Sequence, residues 1–306
     1  MDSSTEESDL ELPDRGPLGN PLATSSPNKN RGNTNIKPWE NMRTLVINFQ
    51  SVRNKRAELS NVLSSYQPEI FIGNETWLNS NITSSEIFPS QYDIIRKDRH
   101  DGYGGVVLGI RQDLTATEIH RDLVRTESVY CKISINRNTT LIIGAIYRPP
   151  SSGSEYLKQI CTELHEISQR HKNAVLWIAG DLNLPDIDMT IKGNQLPAAD
   201  NQRFLDTITS VGLEQKVTFP TRNLSTLDLF LTNRPSLVNK CVGLPGIGDH
   251  DIVKVDSSLT PQRNKPVRRK IYLWKKADII KLQAECTNFQ NQFLTNYNIS
   301  SDIEKM

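Results

Sequence analysis

A carboxylate and an amide follow one strongly apolar segment of the chain. The run 174–179 leads directly into the tetrapeptide Gly180-Asp181-Leu182-Asn183. Side chains two residues apart on a strand share a face, so Asp181 and Asn183, at the end of this strand, can point at one substrate. An acid and an amide at the end of a buried strand favour chemistry over packing.

Further polar residues stand at the ends of other apolar segments, where packing does not require them. They are Asn48, Glu75, Tyr147, Asp228, Asp249 and His250. Each also has a purely structural interpretation. Asn48 could be a turn residue, Glu75 a surface acid and Tyr147 an aromatic at the rim. Asp228 could cap a turn, Asp249 could be a loop acid and His250 could be structural. Asp228 is the least easily dismissed, because it lies between Leu227 and Leu229 and needs a partner if it is buried.

Taken together, these side chains describe metal-assisted hydrolysis of a phosphodiester. A hard oxygen ligand such as Glu75 suits Mg²⁺, which typically binds one or two protein carboxylates together with water and substrate phosphate. His250 paired with a buried Asp228 would be an oriented imidazole that can hold or protonate a phosphate oxygen. Zinc is not indicated, because no spacing of cysteines and histidines matches a zinc site.

Composition and charge narrow the function classes only a little. The 306 residues carry a formal net charge of +1, which does not predict nucleic-acid binding. Residues 263–276 contain several bases and no acid, which fits either a solvated linker or a strip that contacts a nucleic-acid backbone. The four cysteines are widely spaced, which favours a reducing compartment. No apolar run predicts a signal peptide or a membrane span.

Short β-branched or aromatic segments bounded by turn residues predict strands. These segments are 44–49, 70–77, 92–97, 105–110, 128–135, 140–148, 174–183, 227–233 and 252–256. Apolar stripes at helical spacing predict helices over 53–65, 155–169 and 200–211, the last ending at Gly212. A hairpin around 136–139 argues against a purely parallel sheet.

These elements favour an α/β fold built as a four-layer sandwich, with two mixed β-sheets packed face to face and helices outside. Residues 1–38 are rich in Ser, Pro, Asn, Gly and acid, and we expect them to be disordered. The folded domain is expected over 42–256. Residues 257–306 are expected to form a basic linker and a partial helical segment from about Ile271 onward.

The order and spacing of the polar residues resemble the endonuclease/exonuclease/phosphatase superfamily, which includes abasic-site endonucleases, deoxyribonuclease I and inositol phosphatases. Within it, the chain is similar to the apurinic-type endonuclease domain of non-LTR (LINE-type, jockey-like) retrotransposons. The segments that carry this resemblance are Glu75-Thr-Trp-Leu78, Tyr92-Asp-Ile-Ile-Arg-Lys-Asp-Arg99, Gly104-Gly-Val-Val107, Tyr147-Arg-Pro-Pro150, Ser225-Thr-Leu-Asp-Leu-Phe-Leu-Thr232 and Gly248-Asp-His-Asp251. It covers residues 42–256 and implies a DNase I-like fold. Residues 269–278 resemble the linker before a reverse transcriptase, although no signature of that enzyme is present.

The resemblance implies how the metal and the attacking water are held. Glu75 would bind the divalent metal, with Asn48 in its shell, and Asp249 would complete the polar or second metal position. Asp181 would orient or deprotonate the water, and Asn183 would help to position the water and the phosphate. The implied cofactor is Mg²⁺, with Mn²⁺ as an alternative.

The resemblance also implies how the substrate is held and what the reaction is. Tyr147 and His250 would contact the scissile phosphate, and Asp228 would orient His250. The reaction would nick one DNA strand and leave 3′-hydroxyl and 5′-phosphate ends. In a retroelement, that 3′-hydroxyl primes reverse transcription of the element's RNA, which would be reached through a fused reverse transcriptase. This function implies an intracellular, nuclear location and no membrane partner.

Two residues depart from the family's pattern. Gly248 stands where the family usually has a serine before Asp-His, so a supporting hydrogen bond is lost but no catalytic group is removed. Tyr103 interrupts the glycine-rich run in Asp101-Gly-Tyr-Gly-Gly105 and is interpreted as loop variation.

Two other functions remain as alternatives. The first is a phosphatase of the same fold that acts on a small phosphoester. The second is a catalytically decayed remnant that only binds nucleic acid. The retention of the full set of site residues argues against the remnant.

Overall fold

The structure is a computed structural model that describes residues 42–121, 126–185, 199–264 and 277–296. The predictions made for residues 1–38 and for most of the basic cluster, residues 265–276, lie outside the described residues.

Two six-stranded sheets form the centre of the described structure. The first sheet contains β1 (Met42–Asn48), β2 (Ile70–Asn74), β3 (Tyr92–Lys97), β4 (Val106–Arg111), β11 (Val238–Leu244) and β12 (Ile252–Ser257). The second contains β5 (Ala116–Glu118), β6 (Glu127–Ser134), β7 (Thr140–Tyr147), β8 (Val175–Asp181), β9 (Glu214–Gln215) and β10 (Asp228–Thr232). Their strand orders are β11-β12-β1-β2-β4-β3 and β5-β6-β7-β8-β10-β9. Both sheets are mixed, because β1–β2 and β7–β8 are parallel within otherwise antiparallel sheets.

The helices of the described residues are α1 (Arg56–Tyr66), α2 (Ser84–Ile87), α3 (Ser154–Arg170), α4 (Ala199–Ser210) and α5 (Ile279–Asn296). Helix α1 packs on the outer face of the first sheet, and α3 and α4 pack on the outer face of the second. The predicted α/β sandwich of two mixed sheets with helices outside is therefore confirmed. Helix α5 exposes its described side chains, and none of the described helices has the length and apolar character needed to cross a membrane.

Alternation along the central strands divides the core into layers. On β8, Val175, Trp177 and Ala179 face the opposite sheet, whereas Leu176 and Ile178 face α3 and α4. Burial of a side chain such as Leu176 or Ile178 contributes about 1.5–3 kcal/mol to stability. The alternation thus fixes which face of each strand meets the other sheet.

The structure differs from the sequence prediction mainly at strand ends and sheet edges. Strands β2 and β8 stop earlier than predicted, because Glu75 and Asn183 take left-handed backbone conformations (φ 52° and 46°) that no strand can continue through. The edge strands β5, β9 and β11 were not predicted, because they are short or half-exposed and lack a clear alternation. The predicted helix end at Gly212 is confirmed, with φ of 69° and a hydrogen bond from the Leu213 N–H to the Ile208 carbonyl at 2.7 Å.

Candidate active site

Five strands carry a polar residue where they reach the same edge of the sandwich, at the last residue of four strands and the first residue of the fifth. These residues are Asn48 on β1, Asn74 on β2, Tyr147 on β7, Asp181 on β8 and, at the start of antiparallel β10, Asp228. All five are buried. Each lies two positions along its strand from an apolar residue of the layer between the sheets. The row of inward-facing side chains on each strand therefore changes from apolar to polar at this edge. Buried polar groups must find partners, and here they find them across the two sheets.

Asn48 bridges two carboxylates that come from different sheets. Its Nδ2 donates to Asp181 Oδ2 at 3.0 Å and to Glu75 Oε1 at 3.1 Å. Its Oδ1 accepts a hydrogen bond from the Gln50 N–H at 3.0 Å. A role as metal ligand would require the Asn48 amide to turn its oxygen toward Glu75, so that role stays a prediction.

Asp228 and His250 form a buried carboxylate–imidazole pair, with Asp228 Oδ2 2.7 Å from His250 Nδ1. The Asp228 N–H donates to Thr221 Oγ1 at 3.1 Å, which holds the start of β10 in place. Burial by itself lowers the pKa of His250, but the hydrogen bond and charge of Asp228, with Asp181 and Asp249, raise it above its usual value. The protonated imidazole is therefore favoured, and it can donate from Nε2 to a phosphate oxygen.

Asp181 is a carboxyl group whose pKa lies near neutrality. Burial raises the pKa of Asp181 to about 8, and the negative charge of Asp228 adds to this effect. His250 and the Asn183 N–H, which donates to Asp181 Oδ1 at 3.0 Å, act in the opposite direction. A raised pKa makes the ionised form of Asp181 a stronger base, so the Asp181 carboxylate can accept a proton from water once it is ionised.

Tyr147 lies among the same acids. Burial raises the pKa of Tyr147 well above its usual value, and the charges of Glu75 and Asp181 add to the increase. The hydroxyl therefore stays protonated and acts as a hydrogen-bond donor, toward Glu75 or toward a ligand at this edge.

Asn183 lies outside strand β8, so strand alternation does not determine where its side chain points. Strand β8 ends at Asp181, and the Asn183 side chain donates from Nδ2 to the Arg148 carbonyl at 2.9 Å. Arg148 Nη1 in turn donates to the Asn183 carbonyl at 3.0 Å. The expectation that both side chains share a strand face is therefore wrong, whereas the role of Asn183 in positioning water and phosphate stays a prediction.

Asp249 is already paired with a cation. Its Oδ2 lies 2.6 Å from Arg222 Nη2, and its Oδ1 lies 4.0 Å from His250 Nε2. The Arg222 partner was not predicted from the sequence. Its charge offsets that of Asp249, whose role at a metal position stays a prediction.

The donors at this edge fit a divalent metal. In the described part of the chain, Asp181, Asp228 and His250 have possible ligand atoms within 4.8 Å of one another. Asp228 already occupies Nδ1 of the imidazole, which leaves Nε2 as its possible metal-binding atom. Carboxylate oxygens are better donors: Glu75 is only half-buried, and Asp228 Oδ1 is buried without a hydrogen-bond partner among the described residues.

Backbone strain is concentrated around the site. Among the described residues, five of the seven non-glycine residues with positive φ follow β1, β2 or β8: Gln50, Ser51, Glu75, Trp77 and Asn183. Each such conformation costs on the order of 1 kcal/mol and persists only where its surroundings enforce it. Gly180 has a related role, because a Cβ at this position, with φ of 143°, would lie 1.9 Å from the Ile146 carbonyl oxygen. Only glycine lets β8 approach β7 closely enough to place Asp181.

The sequence did not single out several residues that support the site. Asn74 joins the two sheets, and Glu127, at the start of β6, accepts a hydrogen bond from the Gly105 N–H at 2.6 Å. The Gly105 carbonyl in turn accepts from the Thr76 N–H at 3.4 Å, directly after Glu75. The only signal for Glu127 was an acid in front of an apolar strand, which is also typical of a surface position.

Comparisons with known proteins agree with this arrangement. The model of the endonuclease/exonuclease/phosphatase family matches residues 42–258. No curated protein sequence matches the chain significantly.

Solved structures of DNA-processing enzymes are similar in fold. The endonuclease domain of TRAS1, a telomere-specific non-LTR retrotransposon, aligns with a TM-score of 0.56 at 17% identity, over 72% of this chain and 99% of that domain. The AP endonuclease LMAP from Leishmania major aligns with a TM-score of 0.57 at 14% identity, over 71% of this chain and 87% of that one. The APE2 catalytic domain from Xenopus laevis aligns with a TM-score of 0.55 at 17% identity, over 74% and 94%.

At such identities the solved structures show the fold alone, whereas the family match covers more than half of the 306 residues. The match begins at the first residue of β1 and ends one residue beyond β12. It therefore includes both sheets and all of the candidate site residues described above. On that basis the chain belongs to the endonuclease/exonuclease/phosphatase family.

Proposed function

We propose that this chain is a Mg²⁺-dependent DNA endonuclease that nicks one strand and leaves a 3′-hydroxyl end for target-primed reverse transcription. The observation that carries the proposal is the buried contact of Asp181, through Asn48, with Glu75 at 3.0 and 3.1 Å. It brings a carboxyl group with a pKa near 8 beside a half-exposed carboxylate suited to a hard cation. The family match supports hydrolysis of a phosphoester, and the fold of the TRAS1 endonuclease domain supports the retrotransposon setting.

Each side chain has a separable part in the reaction. Asp181 accepts a proton from the attacking water, and the fixed Asn183 N–H holds the Asp181 carboxylate in one orientation. His250, oriented by Asp228, donates to a non-bridging phosphate oxygen, and the protonated Tyr147 hydroxyl donates to the same group. A divalent cation held by Glu75 would supply charge neutralisation of the phosphate and the leaving oxygen.

Nicking of supercoiled plasmid tests the proposal. We expect conversion to the open-circular form with Mg²⁺, no conversion after chelation, and recovery when Mg²⁺ is returned. Asp181→Ala and Glu75→Ala should each abolish nicking, whereas Glu58→Ala, which removes an exposed acid on α1, should not. Metal-dependent nicking that survives both site substitutions would contradict the proposal.

The product ends separate an endonuclease from a phosphatase of the same fold. A nick with a 3′-hydroxyl can be extended directly by a DNA polymerase without prior end repair. One structural neighbour is described as the 3′ phosphatase NExo from Neisseria, so phosphate release from a 3′-phosphorylated oligonucleotide and from an inositol phosphate should be measured in parallel. Phosphate release without nicking would favour the phosphatase.

A further inference from the structure

Arg148, which directly follows Tyr147 at the end of β7, is a buried arginine with no part in the chemistry described above. The residue is only 8% exposed. In the described part of the chain no carboxylate forms an ion pair with its guanidinium, whereas Arg111 and Arg121 each pair with two. Buried charges are normally paired, so the contacts that Arg148 makes instead need an explanation.

Backbone carbonyl groups take the place of a carboxylate around Arg148. Its Nη1 donates to the Asn183 carbonyl at 3.0 Å and, at 3.5 Å, also faces the Leu182 carbonyl. Its Nη2 donates to the Ser152 carbonyl at 2.9 Å. Leu182 and Asn183 directly follow Asp181, where β8 has ended, so their carbonyl groups need donors from outside the sheet. The planar fork of a guanidinium can serve several such groups at once.

Local backbone contacts place the Arg148 side chain. The Arg148 N–H donates to the Asp181 carbonyl at 2.9 Å, which aligns the ends of β7 and β8. The Pro149 carbonyl accepts from the Ser152 N–H at 3.0 Å and from Ser152 Oγ at 2.7 Å. These two hydrogen bonds close the turn after β7, and the Ser152 carbonyl of that turn accepts from Nη2. Arg148 is therefore held through both its backbone and its guanidinium.

The turn that Arg148 holds determines where the Asp181 carboxylate points. Asn183 has a left-handed backbone conformation, with φ of 46°, which a residue other than glycine keeps only where its surroundings enforce it. In this conformation the Asn183 N–H donates to Asp181 Oδ1 at 3.0 Å. The Asn183 side chain completes the unit by donating to the Arg148 carbonyl at 2.9 Å. Without the guanidinium, the Asn183 carbonyl loses the donor that holds this side of the turn.

We propose that Arg148 is a positioning residue, whose guanidinium binds the turn after β8 and so fixes the Asn183 N–H against the Asp181 carboxylate. The side chain of Arg148 is buried, so it acts through Asp181 and does not touch the substrate. The role given to Asp181, as acceptor of the proton from water, rests on the proposed function. The new requirement is for an arginine at this position, because a lysine keeps the charge but lacks the fork of donors.

Hydrogen exchange of single backbone amides, followed by NMR, tests the positioning role without relying on activity. In Arg148→Lys the Asn183 N–H should exchange roughly tenfold faster than in the wild type, the scale of one lost hydrogen bond. The Ile178 N–H, in the middle of β8, should exchange at its wild-type rate. Equal exchange of Asn183 in the two chains would overturn the proposal. An Asn183 N–H that exchanges like an unstructured amide in the wild type would overturn it as well.

Single-turnover nicking measures the consequence for the chemical step. Arg148→Met should lower this rate by about 10²-fold, the scale of a misplaced catalytic group, while the affinity for DNA, measured by fluorescence anisotropy, stays unchanged. Arg148→Lys should retain more of the rate, because an ammonium group still reaches one carbonyl, and it carries the test if the methionine variant does not fold. An unchanged rate would refute the positioning role. A weaker affinity for DNA with an unchanged rate would refute it too, since that result belongs to a DNA contact.

Arg111→Lys is the matched control, because Arg111 is a half-buried arginine at the end of β4 remote from the site, where it pairs with Glu69 and Asp113. It should lower stability toward urea without changing exchange at Asn183 or the nicking rate of the folded chain. Nicking by the wild type, with exchange at Asn183 unaffected by Arg148→Lys, would refute the positioning role and leave the endonuclease standing. Faster exchange at Asn183 in a chain whose wild type does not nick would do the reverse.

Discussion

The side chain of Asn74, at the end of β2, accepts a hydrogen bond from the Asp181 N–H, at the end of β8, with a distance of 3.1 Å between Asn74 Oδ1 and the Asp181 nitrogen. The Asn74 Nδ2 donates to the Ile146 carbonyl at 2.9 Å, so one buried amide ties the first sheet to two strands of the second. Asn74 is fully buried and closes the layer between the sheets directly beneath Asp181. Its contacts make it a positioning residue rather than a catalytic one.

Replacing Asn74 by alanine should destabilise the chain and displace Asp181. The change leaves the Asp181 N–H and the Ile146 carbonyl buried without partners, which costs about 1–3 kcal/mol for each group. Urea unfolding would measure the loss of stability. Asn81→Ala, in an exposed loop, is the control and should change stability by less than about 0.5 kcal/mol. An Asn74→Ala chain as stable as the wild type would show that the bridge contributes little.

Asp228 and His250 should act as one unit in catalysis. Asp228→Asn keeps the shape of the side chain but weakens the orientation and charge of the imidazole, and we expect kcat to fall by about 10²–10⁴-fold. His250→Gln should have a similar effect. In the double variant the losses should not add, because either change alone removes the same oriented donor. Nicking rates at saturating Mg²⁺ would form the double-mutant cycle, and additive losses would indicate that the two residues act independently.

Glu127 should influence the site through the loop between β3 and β4, residues 98–105, to which it is hydrogen-bonded. Glu127→Gln keeps one acceptor but removes the negative charge that faces Arg99 and the Gly105 N–H. Since that loop supports the backbone just after Glu75, we expect the Mg²⁺ concentration for half-maximal nicking to rise several-fold. The change in kcat at saturating Mg²⁺ should be smaller. Glu155→Gln, at an exposed position on α3, is the control. A reduced kcat with an unchanged Mg²⁺ dependence would argue against this route.

Asp256 should make folding stability depend on pH in the acid range. Burial by itself raises the pKa of Asp256, but hydrogen bonds from Arg43 at 2.7 Å and Lys254 at 3.0 Å lower it below the usual 3.8. A lowered pKa in the folded state means that this stabilisation is present above pH 3.8 and is lost as the pH falls through the folded value.

The matched variant is Asp256→Asn. Because Asp256 is 20% exposed, the expected loss at pH 7 is modest, about 1 kcal/mol. Urea unfolding at pH 7 and again below pH 3.8 should show the difference between the two chains shrinking with acidification. A difference that stays constant across this range would mean that the ion pair is not its source.

Much of the fold followed from local patterns in the sequence. The alternating segments became the central strands of both sheets, and the apolar stripes became α1, α3 and α4, because burial of one face dominates the energetics of each element. Edge strands such as β11 escaped prediction, since their side chains are half-exposed and their pairing depends on a partner strand. The sequence prediction placed Glu75 and Asn183 on strands, but the strands end before these residues. No local sequence pattern indicated that their backbone is left-handed.

For the site, the amino-acid sequence by itself determined which chemical groups stand at strand ends: an acid after Gly180, an acid after β2, and an Asp-His pair before β12. It also determined that a glycine precedes Asp181, where no larger residue fits. Only the tertiary structure decided which of these groups meet. The Asn74–Asp181 hydrogen bond joins residues 107 positions apart, and the Arg222 partner of Asp249 lies on a different loop. Such contacts depend on how two sheets pack face to face, and that packing is set by the whole apolar layer between them rather than by any one segment.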